Sequence, residues 1–252
     1  MLHPSVRKIL ESPVIAQRTP EWYYYRSKRV TASECSIVIA RGKGSKSLMH
    51  RKKFGGASNF SNEYTRIGSE NEEEIVKQYR EMYPEVEVYH DLSIIPHPTE
   101  KYVAASLDAC TNTGINVEIK TCFKDKKIPI CKAYRDQVQL QMEVADLELT
   151  HLVQQYYNLP GRPLVITEIK RDREWFAKNA PIFKEFISNL ESFSPFDLFL
   201  IKCQIAKMNQ DTTDIRMRIE DYYFEQDEII DDCSDCSIDM YYVFVQMHNT
   251  IC

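Results

Sequence analysis

Three ionisable residues in the middle of the sequence could hydrolyse a phosphodiester bond: Asp108, Glu118 and Lys120. Glu118 and Lys120 stand two residues apart in an apolar stretch, so that in a β-strand they would project from one face. Val117 and Ile119 would then point into the core. Paired carboxylates bind hard divalent ions such as Mg²⁺, which accept phosphate oxygens as further ligands. Because a neighbouring Lys can orient the attacking water or stabilise the transition state, these residue types predict metal-dependent phosphodiester hydrolysis.

A β-hairpin would bring these residues together. The apolar stretches Tyr102–Leu107 and Ile115–Cys122 flank a run of turn formers, Thr111–Gly114, which predicts Asp108 at the end of the first strand. The tripeptide Glu-Ile-Lys is a weak signal alone, since alternating charges usually form the solvated face of a strand. The chain contains a second copy at Glu168–Lys170, but only the first copy has an Asp ten residues upstream across a turn.

The composition predicts a soluble, intracellular globular protein. The chain has 252 residues, of which 43% are hydrophobic and 27% charged, and no apolar run is long enough to span a membrane. The N-terminus lacks the apolar core of a signal peptide, and the eight scattered cysteines indicate reduced thiols rather than disulfides. A formal charge of −5 excludes a surface that is basic throughout, but it is compatible with a local basic groove.

Two helix starts near the N-terminus could bind an anion. Thr19-Pro20 predicts the start of a helix that carries Arg26, and Thr31–Glu34 fits a capping box that opens a further helix through about Ala40. The free amides and positive dipole of a helix N-terminus attract phosphate, so Arg26 and Ser33 are candidate anion ligands. In the alternative interpretation, Arg26 is a surface residue and Ser33 only caps the helix.

A basic segment and an acidic helix follow. Arg41–Lys53 includes six basic residues and no acid, with glycines and serines that predict a flexible first half. It is the best candidate for contact with a nucleic-acid backbone, although basic runs are often merely solvated. Glu63–Tyr83 has helical spacing and ends before Pro84, and one of its four clustered glutamates could face a metal. The four are Glu70, Glu72, Glu73 and Glu74.

The remaining pattern alternates strands with helices. The predicted elements are a short helix at Val6–Glu11, a strand at Val86–Ile95, a helix at Ala133–Ala145, strands at Leu149–Tyr157 and Pro163–Ile169, and a helix at Arg173–Leu190. On the helix Ala133–Ala145, Gln137 and Gln141 are one turn apart, and Gln137 could reach the site. This order predicts an α/β sandwich with a mixed central sheet flanked by helices.

The sequence changes character after Ser194-Pro195. We predict one domain at residues 1–195 and a C-terminal extension of unknown role at 196–252, whose segment Glu220–Asp235 contains eight acids. Four residues of the extension have a spacing that zinc tolerates, but scattered reduced thiols explain its cysteines more simply. These residues are Cys233, Cys236, His248 and Cys252.

Together these residues resemble the lambda-exonuclease, or YqaJ-type viral recombinase, branch of the PD-(D/E)XK nucleases. The resemblance spans Gln17 to Phe193, implies a restriction-endonuclease-like fold, and rests on six landmarks in the same order and at similar spacing. They are Trp22-x-x-x-Arg26 with Thr31–Glu34, Gly68-x-x-x-Glu72, Ser106–Asp108, Glu118–Lys120, Gln137–Gln139 and Lys170–Asp172. Leu107 and Ala109 depart from the family's Pro and Gly, and Thr121-Cys122 replaces its common Cys-Pro.

For the catalytic centre, the resemblance implies a site for two Mg²⁺ ions, with Mn²⁺ as a substitute. The implied ligands are Asp108, Glu118, Glu72 and the Ile119 carbonyl. Lys120 would align or activate the water, and Gln137 would brace the site. Glu72 is chosen among the four glutamates because it stands four residues after Gly68.

For substrate binding, the resemblance implies a pocket for a 5′-terminal phosphate. Arg26, Ser33 and Ser106 would form this pocket. Lys43 falls where the family carries a basic residue near it. Such a pocket would explain why enzymes of this family degrade one strand of duplex DNA from a 5′ end.

The implied function is a Mg²⁺-dependent 5′→3′ exonuclease for viral-type DNA recombination or genome processing, in a host nucleus or cytoplasm. Its partners would be double-stranded DNA ends and a single-strand annealing protein, and a homo-oligomer would fit the family. Two alternatives stay open. The first is an endonuclease or RNA-cleaving nuclease on the same scaffold, because fold does not determine substrate. The second is a DNA-end binding factor, against which the intact set Asp108, Glu118 and Lys120 argues.

Overall fold

The structure of the chain is a computed structural model, and it describes residues 2–17, 19–54, 63–124 and 126–192. The C-terminal extension, with its acidic segment and its zinc-spaced residues, lies outside the described residues. The chain divides into two compact units, Met1–Ile187 and Ser188–Cys252, and a domain boundary at residue 195 stays a prediction. The described cysteines are buried free thiols. In the described ranges, no helix is long and apolar enough to cross a membrane.

Helices and strands alternate along the described chain. The helices are α1 (Pro4–Leu10), α2 (Pro20–Ser27), α3 (Cys35–Ala40), α4 (Lys43–Phe54), α5 (Glu63–Met82), α6 (Lys132–Ala145) and α7 (Arg173–Ser192), and a short 3-10 helix, Ala32–Glu34, precedes α3. The strands are β1 (Val30–Thr31), β2 (Val88–His90), β3 (Ile95–Pro96), β4 (Val103–Ala105), β5 (Ala109–Thr111), β6 (Ile115–Cys122), β7 (Leu149–Tyr156) and β8 (Leu164–Lys170). The helices predicted for α5, α6 and α7 are confirmed to within two residues at each end.

The strands form two sheets. The larger has the order β2-β5-β6-β7-β8, in which β6 and β7 are parallel and the other neighbours are antiparallel. The smaller has the order β1-β4-β3. Helix α5 packs on one face of the larger sheet and α6 on the other. This mixed sheet flanked by helices confirms the predicted fold class.

The central strand β6 is covered on both faces. Val117 and Ile119 pack in an apolar cluster with Ile75 and Tyr79 of α5. Glu118, on the opposite face, is also buried and lies against α6. Helix α6 is the crossover between the parallel strands β6 and β7, and such crossovers bury both faces of the strands that they connect. The face of β6 that carries Glu118 is therefore buried and is not a solvated surface.

The predicted hairpin turn is present, but its first strand is not Tyr102–Leu107. Strand β5 is the one that pairs antiparallel with β6, whereas β4 belongs to the smaller sheet. An apolar run does not by itself specify its partner strand, so the sequence pattern could not separate the two. Asp108 consequently lies where the chain passes from one sheet to the other. The turn closes at Gly114, whose φ of +93° is a conformation that glycine adopts without strain.

Two further local predictions are wrong. The strand predicted at Val86–Ile95 is divided into β2 and β3, which lie in different sheets, because the chain turns at Asp91 with a φ of +58°. The first half of Arg41–Lys53, predicted to be flexible, is largely helical, because α4 begins at Lys43. Ser45 and Leu48 are buried one turn apart on this helix, and long basic side chains have high helix propensity. Burial of one face therefore overrides the local glycine and serine signal.

Candidate active site

Glu118 is the centre of a buried polar group between β6 and α6. Only 1% of its side chain is exposed, and Lys120 Nζ lies 2.7 Å from Glu118 Oε1. Gln137 donates a hydrogen bond of 2.5 Å to the same oxygen, and Gln141 donates one of 2.5 Å to Oε2. The Lys120 ammonium and the Gln137 and Gln141 amides thus replace the hydrogen bonds to water that the Glu118 carboxylate loses on burial. They also hold the carboxylate in one orientation.

Gln141 extends this group into a wider network. The same Nε2 atom donates to the Ser106 carbonyl oxygen at 3.0 Å, and Oε1 accepts a 3.0 Å hydrogen bond from Asn116 Nδ2. The Gln141 side chain is fully buried. Sequence reasoning noted only that Gln137 and Gln141 are one turn apart, and this spacing alone does not distinguish a buried pair from an exposed pair. The role of Gln141 in holding Glu118 was therefore missed.

Asp108 reaches the same region from the segment between β4 and β5. Its Oδ2 accepts a 2.8 Å hydrogen bond from the Ile119 amide. Burial raises the pKa of Asp108 well above its usual range, and the Glu118 and Glu72 carboxylates raise it further against the opposing charge of Lys120. A carboxyl group whose pKa is raised by neighbouring carboxylates is stabilised in its charged form by a bound cation.

Helix α5 supplies the third carboxylate. Glu72 is half-buried, whereas the other three clustered glutamates are exposed. The preceding residue, Asn71, is buried, and its amide donates to Thr121 of β6 at 3.4 Å and to Gln155 of β7. These bonds attach α5 to the sheet at the level of Glu72. Glu72 is the α5 carboxylate whose charge acts on Asp108.

The donor set has the chemistry that a magnesium site requires. In the described ranges, no group of three or more His, Cys, Asp or Glu side chains is already arranged around one point as a metal cage. Mg²⁺ does not need such a cage, because it keeps several waters and is held by one or two carboxylates together with substrate phosphates. Asp108 and Glu118 would supply those two carboxylates, and a divalent ion would offset the repulsion by which Glu118 raises the pKa of Asp108. The residues present therefore fit the metal.

The second Glu-Ile-Lys tripeptide has a different environment. It lies on β8, at the edge of the larger sheet, where 67% of the Glu168 side chain is exposed. Lys170 is exposed as well. The two copies are identical in sequence, and only the one on the central strand is buried beside other carboxylates. Position in the sheet thus distinguishes the candidate site from a solvated strand.

Arg26 and Ser33 are brought together at the end of α2. Arg26 Nη2 donates a 3.2 Å hydrogen bond to Ser33 Oγ and lies 3.6 Å from Glu34 Oε1. The guanidinium also lies over the Trp22 ring, 4.4 Å from its centre. About a fifth of the Arg26 side chain is exposed. A guanidinium that is oriented on one side and accessible on the other is suited to bind a phosphate.

The pairing of β1 with β4 connects this group to the carboxylates. In this parallel pair Thr31 lies opposite Ala104, and Ser33 and Ser106 each follow two residues later. They therefore leave the smaller sheet at the same edge. Ser106 Oγ is buried and has no hydrogen-bond partner within the part of the chain that the structure describes. Asp108 follows Ser106 by two residues. The short segment Ser106–Asp108 therefore joins the Arg26 and Ser33 pair to the buried carboxylates.

Lys43 stays a predicted neighbour of the phosphate pocket. It is exposed at the first residue of α4. The α4 residue that reaches Arg26 is Lys52, whose Nζ donates a 2.8 Å hydrogen bond to the Arg26 carbonyl oxygen. Lys52 is nine residues after Lys43, a separation of about 13 Å along the helix. Sequence reasoning counted Lys52 only among six basic residues, because it did not predict the helix that turns Lys52 inward.

Replacing Lys43 and Lys46 together by Gln should weaken binding of duplex DNA and flatten its salt dependence. Both side chains are exposed near the start of α4. Each lost phosphate contact is expected to lower the slope of log K against log salt by roughly 0.9. Fluorescence anisotropy in a series of salt concentrations measures this slope. Gln substitutions at the exposed Lys77 and Lys178 are the control, and an unchanged slope in the first variant would exclude the start of α4 from the interface.

Known proteins share this fold. Among curated protein sequences, none is significantly similar to the chain. The crystal structure of LHK-Exo in complex with dAMP matches with a TM-score of 0.59 and 23% identity, over 75% of this chain and 100% of that chain. A structure of the alkaline exonuclease LHK-Exo from Laribacter hongkongensis matches with a TM-score of 0.59 and 22% identity, over the same shares of the two chains.

These neighbours confirm the restriction-endonuclease-like fold that the resemblance implied. Their identity to this chain is too low to transfer more than the fold. The sequence itself gives the family. Residues 21–148, which are half of the 252 residues, match the YqaJ-like viral recombinase domain. The chain therefore belongs to the YqaJ-like viral recombinase domain family.

Proposed function

We propose that this chain is a Mg²⁺-dependent exonuclease that degrades one strand of duplex DNA in the 5′→3′ direction from a 5′-phosphorylated end, in viral-type recombination or genome processing. The observation that carries the proposal is the connection of two groups by the segment Ser106–Asp108. On one side are the carboxylates and Lys120, and on the other are Arg26 and Ser33. The viral recombinase family and a structural neighbour that is an alkaline exonuclease support a nuclease that acts on DNA.

In this proposal each residue of the centre has a separate task. The residues that would hold Mg²⁺, or Mn²⁺ as its substitute, are Asp108, Glu118, Glu72 and the Ile119 carbonyl. When bound, the metal would supply an activated water and neutralise charge on the phosphate. Lys120, 2.7 Å from Glu118, would orient the attacking water and stabilise the charge that develops on the phosphate oxygens. Gln137 and Gln141 keep Glu118 in one orientation.

Binding of the 5′-phosphate by Arg26 and Ser33 would explain the 5′→3′ direction of degradation. Arg26 and Ser33 would bind the terminal 5′-phosphate, and the free hydroxyl of Ser106 would add a donor between that phosphate and Asp108. A strand end held in this way places a phosphodiester near its 5′ terminus at the carboxylates. Cleavage then removes nucleotides from the 5′ side. The remaining 3′ single strand is a substrate for a single-strand annealing protein, which we propose as the partner.

Digestion of linear duplex DNA in Mg²⁺ tests the proposal. Duplexes with 5′-phosphorylated, 5′-hydroxyl and covalently closed ends are compared side by side, with the open strands labelled at their 3′ ends and the closed duplexes labelled internally. We expect preferential loss of the phosphorylated strand from its 5′ end and no digestion in EDTA. Equal cutting of closed duplexes would instead indicate an endonuclease. Faster cutting of an RNA duplex of the same sequence would indicate an RNA-cleaving nuclease.

A further inference from the structure

A buried lysine lies behind Arg26 and Ser33. Lys52 extends from α4 with only 5% of its side chain exposed. Its Nζ lies 2.7 Å from Glu34 Oε2 and donates a hydrogen bond of 2.8 Å to the Arg26 carbonyl oxygen. A buried ammonium is costly unless it is paired and hydrogen-bonded, so these two contacts determine where Lys52 can lie. Lys52 thus connects the end of α4 to the backbone of α2.

Glu34 lies between the two cations. Its Oε2 accepts hydrogen bonds from the Thr31 hydroxyl at 2.6 Å and the Thr31 amide at 3.1 Å, in addition to the contact with Lys52. Its Oε1 is 3.6 Å from Arg26 Nη2. Burial opposes the charged form, but Lys52 and Arg26 outweigh it and hold the pKa of Glu34 at about 2. Glu34 is therefore an anion that competes with any phosphate for Arg26.

We propose that Lys52 is a positioning residue that determines the selectivity for a 5′-phosphate, because it engages Glu34 and the Arg26 backbone and so leaves the Arg26 guanidinium for the ligand. The inference rests on the proposed function, in which Arg26 and Ser33 bind that phosphate. The charges of Arg26, Lys52 and Glu34 leave a net charge of about +1 in this group. Without Lys52 the group would be neutral, and the Glu34 carboxylate would turn to Arg26.

Binding measurements without cleavage test this role. The full chain is titrated in EDTA with a short duplex that carries either 5′-phosphate or 5′-hydroxyl ends, and the ratio of the two affinities is the readout. We expect wild type to prefer the phosphorylated duplex and Lys52→Met to lower the ratio about tenfold, the size of one charge-assisted contact. The double variant Lys52→Met with Glu34→Gln should regain most of the ratio, because it removes the competing anion together with the cation.

Two comparisons separate charge from packing. Glu34→Gln alone retains Lys52 and a side chain that can close the capping box, so it should bind the phosphorylated duplex at least as tightly as wild type. Lys178→Met, at an exposed position on α7, should leave the ratio unchanged. The inference is overturned if the double variant binds no more selectively than Lys52→Met, if Glu34→Gln loses the preference, or if wild type has none.

Cleavage measured in parallel in Mg²⁺ distinguishes this inference from the proposed function. A chain that prefers the 5′-phosphate in EDTA, and loses the preference in Lys52→Met but not in the double variant, supports the role of Lys52 whether or not it cuts DNA. Absence of cleavage in the same preparation would overturn only the nuclease. Cleavage with no preference for phosphorylated ends would overturn the role of Lys52 and leave a nuclease of another kind.

Discussion

Lys120→Ala should reduce cleavage of linear duplex DNA at least about a hundredfold and leave end binding nearly intact, since a positioned acid-base or electrostatic group contributes on this scale. Lys120 is the cation beside Glu118, at 2.7 Å, and it opposes the rise in the pKa of Asp108. Gln137 and Gln141 still hold Glu118 after the substitution. Single-turnover digestion measures the chemical step, and anisotropy in EDTA measures end binding.

The second Glu-Ile-Lys tripeptide provides a matched control for this prediction. Lys170→Ala makes the same change in the same local sequence, but on the exposed edge strand β8. The Lys170 backbone oxygen accepts a hydrogen bond from Gln139, and this contact does not depend on the side chain. We expect the cleavage rate of Lys170→Ala to equal that of wild type. Wild-type rates in Lys120→Ala, or equal losses in both variants, would show that the catalytic centre has been assigned incorrectly.

Gln141→Met should lower the free energy of unfolding by about 2 to 4 kcal/mol and also abolish most of the cleavage activity. The substitution preserves the shape of the side chain but removes the donor to Glu118 Oε2 and to the Ser106 carbonyl oxygen. It also leaves Asn116 Nδ2 without one of its two acceptors. Because Glu118 is only 1% exposed, water cannot replace the lost donor without rearrangement. Urea denaturation and single-turnover digestion measure the two effects.

Gln139→Met separates this effect from the general cost of changing a buried amide on α6. Gln139 is also buried, and it hydrogen-bonds only uncharged backbone groups, the Lys170 carbonyl oxygen and the Asp172 amide, among its described contacts. We expect it to lose about 1 kcal/mol of stability and to retain activity. If Gln141→Met were no less stable and no less active than Gln139→Met, the network around Glu118 would not hold the carboxylate as we infer.

Much of the fold could be predicted from local patterns. Helical spacing and terminators indicated α5, α6 and α7, because a long amphipathic helix repeats its signal over several turns. The short strands were harder. The sequence pattern placed β4 in the hairpin in place of β5 and joined β2 to β3, since strands of two or three residues carry little periodicity and their partners lie far away in sequence.

The sequence by itself determined which chemistry is available and roughly where. It specified a carboxylate on either side of a turn, a lysine two residues beyond the second, and an Arg and a Ser at neighbouring helix ends. Residue types and short separations are enough for these predictions, because local backbone geometry determines which residues share a strand face or cap a helix. The assignment of a role to each residue came from resemblance to a family and stays a prediction.

Only the tertiary structure decided between residues that are equivalent in local sequence. It buries one Glu-Ile-Lys copy under α6 and exposes the other at a sheet edge. It leaves Glu72 half-buried with its charge acting on Asp108, whereas the three neighbouring glutamates are exposed. It also buries Lys52, one of six basic residues in the segment Arg41–Lys53, against the Arg26 backbone. The physical reason is that burial and charge depend on what packs against a side chain. The elements that pack against a side chain are far away in the sequence, so a local sequence pattern does not predict them.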